Sequence, residues 1–270
     1  MHGASWSTGI LTSRLPALRF EVVTLFPEVI RAYLGIGVVG RAAARGLLQV
    51  GTEDPRSYAT DIHRTVDDRP YGGGPGMVMK PEPLAAAIRA AAAKLPAGSP
   101  VIALGASGRP FDQRVAGRLA GLPGAVLVAG RYEGVDQRVL EGLVDEELSI
   151  GDYVLSGGEL PALVVVDAVA RLLPGVLGHE ESAGQDSFSD GLLDWPHYTR
   201  PPEWEGRGVP LVLQGGHHEA IRRWRLKQAL GRTWQRRPEL VLSRRLDEEE
   251  RRLLEEFCAE AGVEPPGRLA

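Results

Sequence analysis

The chain has 270 residues, 43% hydrophobic and 24% charged, enough for one large globular domain or a main domain with a small one. No apolar run approaches the roughly 20 residues that cross a bilayer, and the first eighteen residues hold no continuous apolar stretch of a secretory signal. A single cysteine, Cys258, excludes an internal disulfide and fits a reducing cytosol.

In chain order, residues 1–18 are expected to be a disordered extension or a misassigned start, since the first strand-like run begins at Arg19. Residues 19–26 (RFEVVTLF) are β-branched and aromatic and predict a strand, with Pro27 in the first turn of a helix to Leu34. Residues 35–40 match the spacing GxGxxG, but a dinucleotide turn lies directly between strand and helix, and here a helix intervenes. The match is rejected. An Ala-rich helix is expected over 85–94, closed by Pro96 and Gly98. Short apolar strands at 101–104 and 126–129 each run into a glycine, Gly105 and Gly130, with a helix over 113–119 between them. Strands alternating with helices predict an α/β fold, a mostly parallel sheet with helices on both faces. Residues 160–173 form a helix that is apolar nearly all round, so it is buried on most of its surface. Its charges, Asp167 and Arg171, stand four apart as an ion pair would.

The polar residues 178–193 read as a linker, followed by a small helical domain. In its last helix Asp247 caps with Glu250 three residues on, and Leu253, Leu254 and Phe257 face inward. The expected domains are thus a cofactor-binding domain over 19–178, a linker over 179–193 and a helical domain over 194–270.

Charge is unevenly spread. The net charge is −4, yet residues 207–245 carry ten Arg or Lys against two Glu, which leaves −12 for the rest. This points to a polyanion-binding surface, although a solvated basic helix accounts for the same count. On a helix Arg222, Arg223, Arg225 and Lys227 spread around the axis, so some do more than decorate one solvent side. Trp224 and Trp234 suit base stacking among cations, but anchoring a small helical core explains them better.

Residues 63–77 (HRTVDDRPYGGGPGM) place Arg64 and Arg69 around Asp67 and Asp68, then four glycines. Glycine lets backbone approach a ligand and present N–H groups, so this run is expected to contact one. Three glycine-bearing turns, at 105–108, 130–134 and 151–158, stand where ligands bind in open α/β sheets, beyond the carboxyl ends of strands. Gly157 and Gly158 alone would serve equally as a tight turn before the helix. The six histidines show no metal-ligand spacing, and Ser182, Ser187 and Ser189 lack a nucleophile elbow, so metallohydrolase and serine hydrolase are set aside.

Residues 64–77, 130–134 (GRYEG), 149–161 (SIGDYVLSGGELP), 174–179 (PGVLGH), 194–201 (DWPHYTRP), 222–228 (RRWRLKQ) and 231–234 (GRTW) closely resemble the bacterial tRNA (guanine-N1)-methyltransferases of the SPOUT superfamily. The likeness runs from about Arg19 to Glu256. It departs at 105–108, where the family has a proline-containing turn, and at Trp195, commonly a cysteine.

The resemblance implies a trefoil-knotted SPOUT fold that binds S-adenosylmethionine and methylates N1 of the guanine 3′ of the anticodon. Its cofactor contacts fall on Leu104, Gly105 and Gly108, on Gly130, Tyr132 and Glu133, and on Ile150, Gly151, Asp152, Tyr153, Val154 and Leu155. Gly157, Gly158 and Pro161 complete them. Asp186 is the implied general base and Arg171 the cation beside guanine O6. Substrate contacts are expected at Asp67, Arg69, Ser182 and Asp194, and at His197, Arg200, Arg222 and Arg223. The implied partners are tRNA and a second copy in a cytoplasmic homodimer, whose active site lies at the subunit interface. The alternatives are a SPOUT methyltransferase for another RNA and a non-catalytic RNA-binding protein.

Overall fold

The computed structural model describes residues 17–177 and 186–267; Ser182 and residues 1–16 lie outside them. The chain divides into two compact units, Met1–Leu177 and Gly178–Ala270.

The first unit begins with β1 (Leu18–Val23), α1 (Pro27–Tyr33), α2 (Gly37–Ala44) and β2 (Leu48–Glu53). A two-stranded hairpin follows, β3 (Asp67–Asp68) with β4 (Val78–Met79), and then α3 (Pro81–Ala93). The remainder is β5 (Val101–Pro110), α4 (Gln113–Ala120), β6 (Gly124–Ala129), α5 (Gln137–Leu143), β7 (Glu146–Ser149) and α6 (Glu159–Ala170). Five strands form one sheet in the order β2-β1-β6-β5-β7, and every neighbouring pair in it is parallel.

Side-chain alternation sends the two faces of each strand into different cores. Phe20 and Val22 of β1 and Ala125 and Leu127 of β6 pack with α1, α2, α4 and α6. Val23, Val126 and Val128 pack with α3 and α5 on the other face. A sheet covered on both sides needs strands that are apolar throughout, which is why all six residues of β6 are buried. In α6, Ala162, Val165, Val166, Val169 and Ala170 are inaccessible, while Leu160 and Val164 keep an exposed stripe. The expected burial of this helix therefore holds over most of its surface.

Three local expectations change. The helix expected from 85 begins at Pro81, because prolines at 81 and 83 fall in its first turn, where backbone N–H groups have no helical partner. Residues 34–36 join α1 to α2 and residues 37–40 open α2, so the glycine spacing lies between two helices, which agrees with rejecting the dinucleotide turn. Residues 105–108 are not a turn: β5 continues to Pro110, and both Leu104 and Arg109 stand opposite Leu148. The intervening residues bulge out of the ladder, so the glycine-bearing segment is a distorted strand.

The second unit holds a short hairpin, β8 (Glu203–Trp204) with β9 (Arg207–Gly208), which the sequence pattern does not single out. Its helices are α7 (Leu211–Gln214), α8 (His218–Arg236), α9 (Pro238–Leu242) and α10 (Glu248–Ala261). Leu230, Val241, Leu246, Leu253, Leu254 and Cys258 form its core. The Asp247–Glu250 capping box is present in both directions, as the spacing predicts. Leu192 belongs to the same core, and Leu193 N–H donates to Thr233 Oγ1 at 2.9 Å. Residues 186–193, expected as the end of a linker, are thus built onto the helical unit by an apolar anchor inside a polar stretch.

Candidate functional site

A cavity of about 470 Å³ opens beyond the carboxyl ends of β6 and β7, against the bulge of β5. Three segments wall it: residues 103–107, 130–135 and 147–158. The strands deliver backbone to this edge and then leave regular pairing, which frees main-chain N–H and C=O groups to face a ligand. Of the cofactor contacts implied by resemblance, Leu104, Gly105, Gly130, Tyr132, Glu133, Ile150 and Gly151 line the cavity. Tyr153, Val154, Leu155, Gly157, Gly158 and Pro161 do so too.

Gly108 and Asp152 do not. Asp152 is exposed, and Gly108 lies against β7. Gly158 has a similar packing role at the cavity edge, since a Cβ there would stand 2.5 Å from Ala129 Cα. Gly158 thus lines the cavity and also lets the start of α6 press against the backbone of β6.

One cavity wall carries an ion pair, Arg131 with the buried Glu159, that the sequence reading did not pick out. Glu159 is 2% exposed. Its Oε2 accepts from Arg131 Nε at 2.9 Å and its Oε1 from Thr24 Oγ1 at 2.8 Å. Arg131 Nη1 also donates to Ser156 O at 3.1 Å, and the guanidinium lies 4.3 Å from the Phe26 ring centroid. The available signal was Glu159 itself, a carboxylate opening an otherwise apolar helix, because a buried charge needs a partner. Glu147, which also lines the cavity, accepts from Ser107 Oγ at 2.7 Å.

Tyr132 adopts φ 62°, a left-handed conformation that is strained for a residue with a Cβ. Burial, then the charge of Asp67 and a hydrogen bond to it, push the Tyr132 phenol above its usual range. Arg69 is exposed, and its N–H donates to Asp68 Oδ1 at 2.8 Å. In the glycine run, Gly72, Gly73, Gly74 and Gly76 all have φ between 78° and 116°, a path that side chains with a Cβ rarely follow. The run is tied to the cavity wall where Glu133 N–H donates to Met77 O at 2.9 Å and Met79 N–H to Gly134 O at 2.9 Å.

Arg171 caps α6, its N–H reaching Asp167 O at 3.3 Å, and the Asp167 carboxylate accepts from the Tyr33 hydroxyl at 3.0 Å.

The remaining site residues belong to the second unit. Asp186 opens a tight turn, its carbonyl accepting from Ser189 N–H at 3.2 Å. Ser187 Oγ donates to Asp194 Oδ1 and accepts from Asp194 N–H, both at 3.0 Å. His197 Nε2 lies 3.1 Å from Asp194 Oδ2. Asp194 and His197 are therefore neighbours, while Arg200 is exposed. Arg225 stacks 4.8 Å from the Trp195 ring centroid and Arg237 lies 5.8 Å from that of Phe188.

The basic helix α8 is less free than its sequence suggests. Arg222 pairs with Glu219 and Glu249, Arg223 with Glu256 and Lys227 with Glu260, at 2.6–2.7 Å. Trp234 packs against the helical core and donates to Glu264 O at 2.9 Å, and Trp224 packs against Tyr198. Among the described residues no helix is long and apolar enough to cross a membrane.

A family model described as tRNA (Guanine-1)-methyltransferase TrmD matches residues 18–243. The chain is 58% identical over 257 residues to a tRNA (guanine-N(1)-)-methyltransferase of Halorhodospira halophila, covering 95% of this chain and 96% of that protein. A protein of the same name from Methylococcus capsulatus is 60% identical over 243 residues, covering 90% and 97%. One from Salmonella typhi is 59% identical over 239 residues, covering 88% and 94%.

Proposed function

Because this chain belongs to the tRNA (guanine-1)-methyltransferase family, we propose that it methylates N1 of the guanine 3′ of the anticodon in tRNA, with S-adenosylmethionine as donor. The observation that carries this reading is the family match across residues 18–243, which includes all three cavity walls.

The cavity residues fit the donor. S-adenosylmethionine carries a flat ring, many hydrogen-bonding groups and a net positive charge. Leu104, Leu148, Leu155 and Pro161 offer apolar surface, and irregular backbone at 130–134 and 150–158 offers N–H and C=O groups. Glu133 and Glu147 make the lining acidic, while Arg131 is neutralised by Glu159. When bound, the sulfonium supplies an electrophilic methyl group, the electrons of the broken bond staying on sulfur.

The protein's own task is to make guanine N1 nucleophilic. That nitrogen bears a proton, and negative charge builds on O6 as the proton leaves. In this reading the Asp186 carboxylate accepts the proton and the Arg171 guanidinium balances O6. Asp67, Arg69, Ser182, Asp194, His197, Arg200, Arg222 and Arg223 contact the RNA. The reading includes the knotted threading of the first unit, a cytoplasmic homodimer and an active site shared between subunits.

The test is transfer of labelled methyl from S-adenosylmethionine to a tRNA with guanine after the anticodon, by the wild type and by Asp186→Asn. Expected are transfer by the wild type, and loss of transfer with retained donor binding by the variant. Normal transfer by Asp186→Asn would remove the base assignment. Failure on every tRNA, with transfer to ribosomal RNA, would move the protein to a different RNA target.

A further inference from the structure

We propose that Arg131 and Glu159 form a positioning clasp that sets the separation of two cavity walls, and so governs donor affinity rather than the chemical step. The inference rests on the reading of the cavity as the S-adenosylmethionine site.

Arg131 belongs to the wall that follows β6, and Ser156 belongs to the wall that precedes α6. One guanidinium joins them: Nε and Nη2 reach Glu159 Oε2, each at 2.9 Å, and Nη1 reaches Ser156 O at 3.1 Å. The two walls also pair through their backbones, where Arg131 bridges to Gly157 and Gly158 N–H donates to Gly130 O at 2.9 Å. Residues outside the cavity lining hold the clasp. Thr24, inaccessible at the end of β1, donates to Glu159 Oε1, and Phe26 lies under the guanidinium. Gly157 leaves room for it, since a Cβ there would stand 2.2 Å from Arg131 Nε.

Only a planar fork fits this arrangement. It must bring two N–H groups to one carboxylate oxygen, reach a carbonyl with a third and lie over a ring. Lysine supplies the charge without the fork. Loss of the clasp frees the two walls to separate, and a ligand gripped by both then pays more to order them.

The test compares Arg131→Lys, Arg131→Met and the double variant Arg131→Met/Glu159→Gln with the wild type. Donor affinity is read by calorimetric titration with S-adenosylmethionine, KM and kcat by methyl transfer, and stability by thermal melting. Arg131→Met strands a buried carboxylate and is expected to melt lower. The double variant removes that stranded charge and is expected to regain most of the Tm while its donor Kd stays raised about tenfold or more. Arg131→Lys is expected to raise Kd and donor KM by about threefold to tenfold, with kcat and tRNA KM within about twofold. A double variant that melts like the wild type and binds donor within about twofold of it would overturn the clasp and leave only a folding role. A Lys variant whose kcat falls while donor KM is unchanged would also overturn the clasp, because the pair would then act on the chemical step. A wild type that binds no donor would instead overturn the reading of the cavity.

Discussion

Gly108 sits where bulged β5 presses back on β7, and a Cβ there would lie 2.4 Å from the carbonyl carbon of Leu148 and 2.5 Å from its nitrogen. Backbone on backbone leaves no flexible end to move aside. Gly108→Ala is therefore expected to destabilise by about 1–3 kcal/mol and to weaken donor binding by shifting the β5 wall. Gly117 on the exposed side of α4 meets nothing within 4 Å, so Gly117→Ala is expected to gain about 0.5–1 kcal/mol. Thermal melting of the pair checks both signs. The sequence resemblance assigned Gly108 to the ligand, yet its closest neighbour is forty residues away in the chain. No spacing rule within residues 105–108 carries that information.

Among elements, α4 shows how a local signal holds a piece of the core. Val115, Ala116 and Leu119 are buried on one face, and Asp112 caps the helix by accepting from Val115 N–H at 2.9 Å. That hydrogen bond, helped by Arg114, holds the Asp112 carboxyl below its usual range against a modest burial effect. Asp112→Ala is expected to cost about 1 kcal/mol near neutral pH. A carboxyl depressed in the folded state contributes fully above its unfolded pKa and loses that contribution as pH falls through its folded value. The Tm gap between wild type and variant should thus narrow in acid, in a melting series run from neutral pH downward. A gap that widens in acid would refute the charged cap. The helix itself was legible from periodicity over 113–119. β5 was legible only to Leu104, because a bulge interrupts the alternation that identifies a strand.

At the scale of the whole molecule, the net charge of −4 conceals a basic helix and the acids that restrain it. Glu249, Glu256 and Glu260 of α10 engage Arg222, Arg223 and Lys227 of α8. If that face meets RNA, changing the three acids to Gln frees Arg223 and Lys227 for phosphates and loosens Arg222, which keeps Glu219. The expected result is tighter tRNA binding and a salt dependence steeper by up to about 2–3 in log–log slope, measured by filter binding across salt concentrations. An unchanged slope would place the RNA surface elsewhere. The residues alone determined the alternation of strands and helices, the cap at Asp247, and the segments that wall the cavity. These depend on hydrophobic period, on partners within one turn, or on whole motifs, all of which lie along a short stretch of chain. Tertiary structure alone decided the strand order, the bulge at 105–108, the neutralised cations of α8 and the clasp in the cavity wall. Thr24 and Glu159 are 135 residues apart, and Arg222 and Glu249 are 27 apart. Such pairs exist only once distant elements pack, and only there does desolvation force a buried charge such as Glu159 to find its partner.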